Sequence, residues 1–166
     1  MKRIAVFIIA FACLVGAADF GHAATATTNL TVSATVGGVC TIATTPVSFG
    51  TVNALSFTNA QGAMTVQCVN GVSYTLTLSK GGAALGATRA MVVGGVAVVN
   101  YELYKDAGLT QIWGDSGFAG TYPTGTGVAG TSTGVGQSLT IFGRAQALSS
   151  TAPGNYQDIV VATINF

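Results

Sequence analysis

Side chains able to do covalent, acid–base or metal chemistry are scarce in this chain, and their positions limit what each can do. The cysteines are Cys13, Cys40 and Cys68, and the single histidine is His22. Lys2 and Arg3 precede the apolar run Ile4–Val15, and Gly21 and Ala23 occupy the −3 and −1 positions of a cleavage site. Residues 1–23 therefore read as a secretory signal peptide, whose removal takes Cys13 and His22 with it. The exported body has no imidazole. Its two remaining cysteines, in an oxidising compartment, are expected to pair. A Cys40–Cys68 bond closes a loop of about 29 residues and contributes about 3.5 kcal/mol in the chain-entropy description.

The other candidate chemistries fail on their surroundings. Past the leader the carboxylates are Glu102, Asp106, Asp115 and Asp158. Glycoside hydrolysis needs two of them facing one another, and only Asp106 and Asp115 flank a common turn region. Asp115 after Gly114 suits a turn cap, its side chain bonded to nearby backbone. A serine nucleophile lacks a base other than Lys80 or Lys105, neither of which sits in an elbow motif. Gly125, Gly127 and Gly130 spell a GxGxxG pattern, but Thr131-Ser-Thr-Gly-Val-Gly136 follows and will not open the helix that a phosphate site needs. Oxidised thiols and no histidine leave no metal-ligand set. The lone Trp113 reads as packing rather than a sugar platform. No enzyme, cofactor or metal is expected.

Charge points the same way. Lys80, Arg89, Lys105 and Arg144 balance the four acids, so no basic stripe exists to neutralise phosphates and no nucleic-acid partner is expected. So little charge suits a subunit packed against other subunits better than a free monomer. No apolar run beyond the leader approaches the roughly 20 residues of a membrane span.

The elements that must position these residues are strands. Apolar residues alternate with Thr, Ser and Asn at period two, and helix signals are nearly absent. Thr28–Val36 puts Leu30, Val32, Ala34 and Val36 on one face. Gly37-Gly38 breaks it, Val39–Ile42 resumes, and Val47–Val52 follows Pro46. Met64, Val66 and Cys68 share a face of Ala63–Val69. Asn70-Gly71 then predicts a hairpin turn into Val72–Ser79, with Tyr74, Leu76 and Leu78 inward. Ala87–Val93 and Val96–Lys105 form a second expected hairpin about Gly94-Gly95. Residues 114–136 read as a long Gly/Thr-rich loop. Gln137–Leu148 and Tyr156–Phe166 are the last strands, joined by Ala152-Pro153-Gly154-Asn155, with Val160, Ala162, Ile164 and Phe166 on one face of the second. This spacing predicts a single antiparallel β-sandwich. Ala24–Val36, uncharged and ahead of the first structural cysteine, fits either an ordinary first strand or a strand exchanged between chains.

The ordered features Asn29-Leu-Thr-Val-Ser-Ala-Thr-Val36, Cys40, Val47-Ser-Phe-Gly50, Cys68, Leu103-Tyr-Lys-Asp106, Trp113-Gly-Asp115 and Pro153-Gly-Asn-Tyr-Gln-Asp158 behind a signal peptide resemble the spore coat protein U-like domain of Csu-type pilins in archaic chaperone–usher pili. The resemblance implies an incomplete immunoglobulin-like sandwich over 38–166 that lacks its last strand. A donor strand would complete it, supplied by residues 24–37 of a neighbour through Leu30, Val32, Ala34 and Val36. The C-terminal strand, with Val160, Ala162, Ile164 and Phe166, would lie beside the acceptor groove. Implied partners are copies of itself or related pilins, a periplasmic chaperone and an outer-membrane usher. The implied destination is a surface fibre for attachment and biofilm formation, where a one-domain chain would serve as shaft or adaptor. Many other chaperone–usher pilins carry a tyrosine next to the C-terminal residue, whereas here Asn165 precedes Phe166. A coat role for the same domain, or a carbohydrate-binding sandwich, are the alternatives.

Overall fold

The computed structural model describes residues 25–85, 88–94, 96–118 and 121–166. The expected leader lies outside the described residues. The chain divides into two units, Met1–Thr35 and Val36–Phe166. In the first, residues 25–35 are exposed and belong to no strand; Leu30 and Val32 are 86% and 85% exposed.

The second unit is built of strands alone among the described residues. They are β1 (Cys40–Thr45), β2 (Thr58–Cys68), β3 (Ser73–Leu78), β4 (Ala84–Leu85), β5 (Thr88–Val93), β6 (Val96–Tyr104), β7 (Trp113–Ser116), β8 (Val128–Thr131), β9 (Gln137–Ala147) and β10 (Ala162–Asn165). Six of them form one antiparallel sheet in the order β1-β2-β9-β6-β5-β4, and three form a second in the order β10-β3-β8. The period-two alternation explains the core. Met64, Val66 and Cys68 from β2, Val99, Tyr101 and Leu103 from β6, and Ile141 and Ala145 from β9 meet Tyr74, Leu76 and Leu78 from β3. Such face-to-face burial of alternating strands is how two sheets share one core. Trp113 is fully buried there and donates its indole N–H to the Leu76 carbonyl at 3.0 Å.

Several expectations are corrected by the pairing. Thr28–Val36 forms no strand. β2 and β3 are not a hairpin: β2 pairs with β1 and β9, while β3 pairs with β10 and β8. Asn70-Gly71 carries the chain across from one sheet to the other. A hairpin would put both apolar faces in one sheet, whereas the crossing lets them pack against each other. Gly71 takes φ 83°, and its N–H bonds the Ser132 carbonyl, so the turn is held from the second sheet. The expected loop 114–136 contains β8 and all but the first residue of β7. The last strand shrinks to Ala162–Asn165, and Val47–Val52 is irregular. The β5–β6 pairing is as expected, with a register shift between Met91 and Val92.

Cys40 and Cys68 are joined by a disulfide. They face each other at the first register pair of β1 and β2, so the bond clips an edge strand to an inner one.

Candidate functional site

A three-stranded sheet cannot cover a six-stranded one. Beside β10 the mismatch leaves a cleft of about 1120 Å³ whose floor includes Met91, Val99, Tyr101, Leu103 and Ile141. One wall is residues 44–54, which leave β1 at Pro46. Val47 and Phe49 lie close against Gly143 of β9, where a Cβ would stand 2.8 Å from each. The other wall is residues 148–160 and Ala162. β10 is the edge of its sheet and β1 the edge of the other. Val160, Ala162 and Ile164 pack against the core, while Phe166 is 63% exposed. β10 is an edge strand and its first residue, Ala162, lines the cleft, so an added strand would meet that edge over an apolar floor.

Polar side chains brace this frame. Tyr101 donates its hydroxyl to Asp158 Oδ2 at 2.6 Å, and burial first, then that bond, push its pKa up. The Arg89 guanidinium is fully buried. Its Nε donates to the Ser79 carbonyl at 2.9 Å and its Nη2 to the Leu78 and Trp113 carbonyls at 3.0 and 2.8 Å. Nη1 lies 3.5 Å from Glu102 Oε2, and the guanidinium stacks 4.1 Å from the Tyr122 ring centre. Burial lowers the Arg89 pKa, with Glu102 opposing. Burial and the bond to Glu102 raise that of Tyr122. Arg89 thus ties β5 to β3 and β7 across the two sheets.

The sequence candidates divide accordingly. Cys40 and Cys68 meet. Leu30, Val32 and Val36 are exposed, and Val160 and Ala162 line the cleft. Asp115 caps its loop, accepting from the N–H groups of Thr121 and Tyr122 at 2.8 and 2.6 Å. Asp106 accepts from the Gln111 N–H at 2.7 Å. Gly125–Gly130 runs into β8, a strand, not a helix. Among the described residues no group of three or more His, Cys, Asp or Glu could hold a metal. Sequence reasoning missed the wall at 47–52 and the pairs Tyr101–Asp158 and Arg89–Glu102. The only hint was a lone Arg and Glu inside strongly apolar strands.

The fold is an all-β sandwich in which a cleft opens between the two sheets next to a sheet edge. Residues 24–163 match the Spore Coat Protein U domain, and the chain belongs to that family. Protein U of Myxococcus xanthus is 29% identical over 163 residues, covering 87% of each chain. Among solved structures, the CsuC–CsuE chaperone–tip adhesion subunit pre-assembly complex, from archaic chaperone-usher Csu pili of Acinetobacter baumannii, shares the fold. Its TM-score is 0.54 at 21% identity over 80% of this chain. The match spans 40% of the length of that solved chain.

Proposed function

We propose that the chain is an exported pilus subunit that polymerises by donor-strand complementation, residues 24–37 of one copy filling the cleft of the next. The observation that carries this is the pairing of an uncovered cleft beside β10 with an uncharged alternating segment whose apolar side chains are exposed. Each large aliphatic side chain among Leu30, Val32 and Val36 would contribute about 1.5–3 kcal/mol on burial, with Ala34 less. A backbone ladder along β10 would add direction and register. The solved relative is a subunit held by a chaperone. By that likeness, a periplasmic chaperone would cover the cleft before assembly and an outer-membrane usher would direct the exchange. The fibre would reach the cell surface and serve attachment and biofilm formation.

The test compares the mature chain with a version lacking residues 24–37, each released from its chaperone. The full chain is expected to give a heat-sensitive ladder of multimers on a denaturing gel, and the truncated chain none. A ladder from the truncated chain would reject the assignment. The family's description supports a second reading, a coat protein assembled on the cell or spore surface. Export that proceeds without chaperone or usher would favour it. The sugar-platform alternative loses its aromatic, because Trp113 is fully buried.

A further inference from the structure

The segment before β10 changes sheets, and one side chain holds it while it does so. Gln157 bridges to Val92 of β5, whose N–H donates to the Gln157 carbonyl at 3.1 Å. Four residues later Val161, just before β10, is tied to Ser79, just after β3, at the margin of the other sheet. Its carbonyl accepts from the Ser79 N–H at 2.9 Å, and its N–H donates to Ser79 Oγ at 2.9 Å. Between these anchors the Asp158 carboxylate gathers three donors: the Tyr101 hydroxyl on Oδ2 at 2.6 Å, and the Gly82 and Ile159 N–H groups on Oδ1 at 2.7 and 2.8 Å.

The receiving corner is shaped for that carboxylate. Gly81 has φ +88°, and a Cβ there would stand 1.9 Å from Asp158 Oδ2. Any side chain at 81 would displace the carboxylate as well as strain the backbone. Tyr101, at the other end of the contact, is a floor residue of the cleft, and its ring lies 6.2 Å from Phe49 on the opposite wall. Asp158 therefore connects floor, wall and the β3–β4 corner at one point, four residues ahead of β10.

We infer that Asp158, with Tyr101 and Gly81, is a clasp that positions the cleft's wall and floor for an incoming strand, so that the acceptor edge is in register before the strand arrives. Asp158 and Tyr101 are positioning residues in this scheme, and the inference rests on the donor-strand reading above. A preformed site loses less freedom on binding. Loosening the clasp should then slow entry of the strand while leaving its departure largely unchanged, because the filled cleft holds its own wall in place.

The experiment follows uptake of a fluorescent synthetic peptide of residues 24–37 by the mature full chain held as its chaperone complex, which keeps copies from filling one another's clefts, measuring association and dissociation rates separately. Urea unfolding of the peptide-filled domain is measured alongside. Asp158→Asn and Gly81→Ala should slow association about tenfold or more, the factor carried by a hydrogen bond to a charged group, with dissociation changed by less than about twofold. Tyr101→Phe removes one hydroxyl, is the variant surest to fold, and should move the association rate in the same direction. Wild-type association rates in Asp158→Asn and Tyr101→Phe, at whatever urea stability, would reduce the clasp to a corner brace and overturn the inference alone. No peptide uptake by the unmodified chain would overturn the donor-strand reading and the inference together.

Discussion

Replacing Val32 by Asp tests the assembly reading without touching the fold, because Val32 is 85% exposed in its own chain. In the neighbour's cleft the position would be apolar. Losing the valine forfeits about 1.5 kcal/mol of burial. The introduced carboxylate must also be protonated before it enters. From an ordinary pKa of about 3.9 to a solution at about pH 7 that costs about 4 kcal/mol, at 1.36 kcal/mol for each pH unit. The combined penalty, between about 5 and 6 kcal/mol, corresponds to roughly a ten-thousandfold loss of affinity. Its sign with pH follows. Burial raises the pKa of the introduced carboxyl, so the titrating part of the penalty is full at neutral pH and fades as the pH falls toward about 4, where the free carboxylate also protonates. Two end-blocked peptides spanning 24–37, wild type and Val32→Asp, should compete for the cleft of the full mature chain, supplied as its chaperone complex, in a fluorescence-polarisation assay. Residues 24–37 contain no other ionisable side chain, and taking the ratio of the two affinities cancels titration of the cleft itself. The ratio should be roughly ten thousand at about pH 7 and shrink by about a thousandfold by about pH 4. A ratio below about ten, or one that ignores pH, would show that Val32 never enters an apolar site.

Three further outcomes follow from the structure. Cys40→Ser with Cys68→Ser, or reduction of the bond across a sequence separation of 28, should lower urea stability by about 3.5 kcal/mol and release β1, the edge strand, first in amide exchange. Arg89→Met should destabilise by about 3 kcal/mol because the mostly buried Glu102 carboxylate loses its charge partner and keeps only the Tyr122 hydroxyl and a backbone N–H; the double variant with Glu102→Gln should recover much of that, and additive losses would contradict the pairing. The Asp106 carboxyl is held below its usual range, chiefly by the Gln111 N–H and then by bonds from Thr110. Its contribution is thus present above the ordinary carboxylate pKa and lost as the pH falls through the lowered one, so the protection of the Thr110 and Gln111 amides, measured against their intrinsic exchange rates, should fall in acid, and Asp106→Asn should flatten that dependence.

Much of this molecule is legible residue by residue. Period-two alternation marks which side chains of β2, β3, β6 and β9 are buried, because a strand's faces follow from its own sequence whatever it pairs with. The scarcity of ionisable groups, the Cys40–Cys68 pairing and the capping role of Asp115 are equally local or compositional. Only the tertiary structure decides which strands are neighbours. Asn70-Gly71 is as compatible with a hairpin as with a crossing between sheets, and the choice falls to the crossing because Met64, Val66 and Cys68 pack against Tyr74, Leu76 and Leu78 from the opposite layer. The cleft likewise belongs to no single segment: it is the difference between a six-stranded and a three-stranded sheet. The clasp joins Tyr101 to Asp158 across 57 residues, and Arg89 reaches carbonyls on two other strands. Contacts of that kind depend on where the chain returns after many residues, which no local pattern encodes.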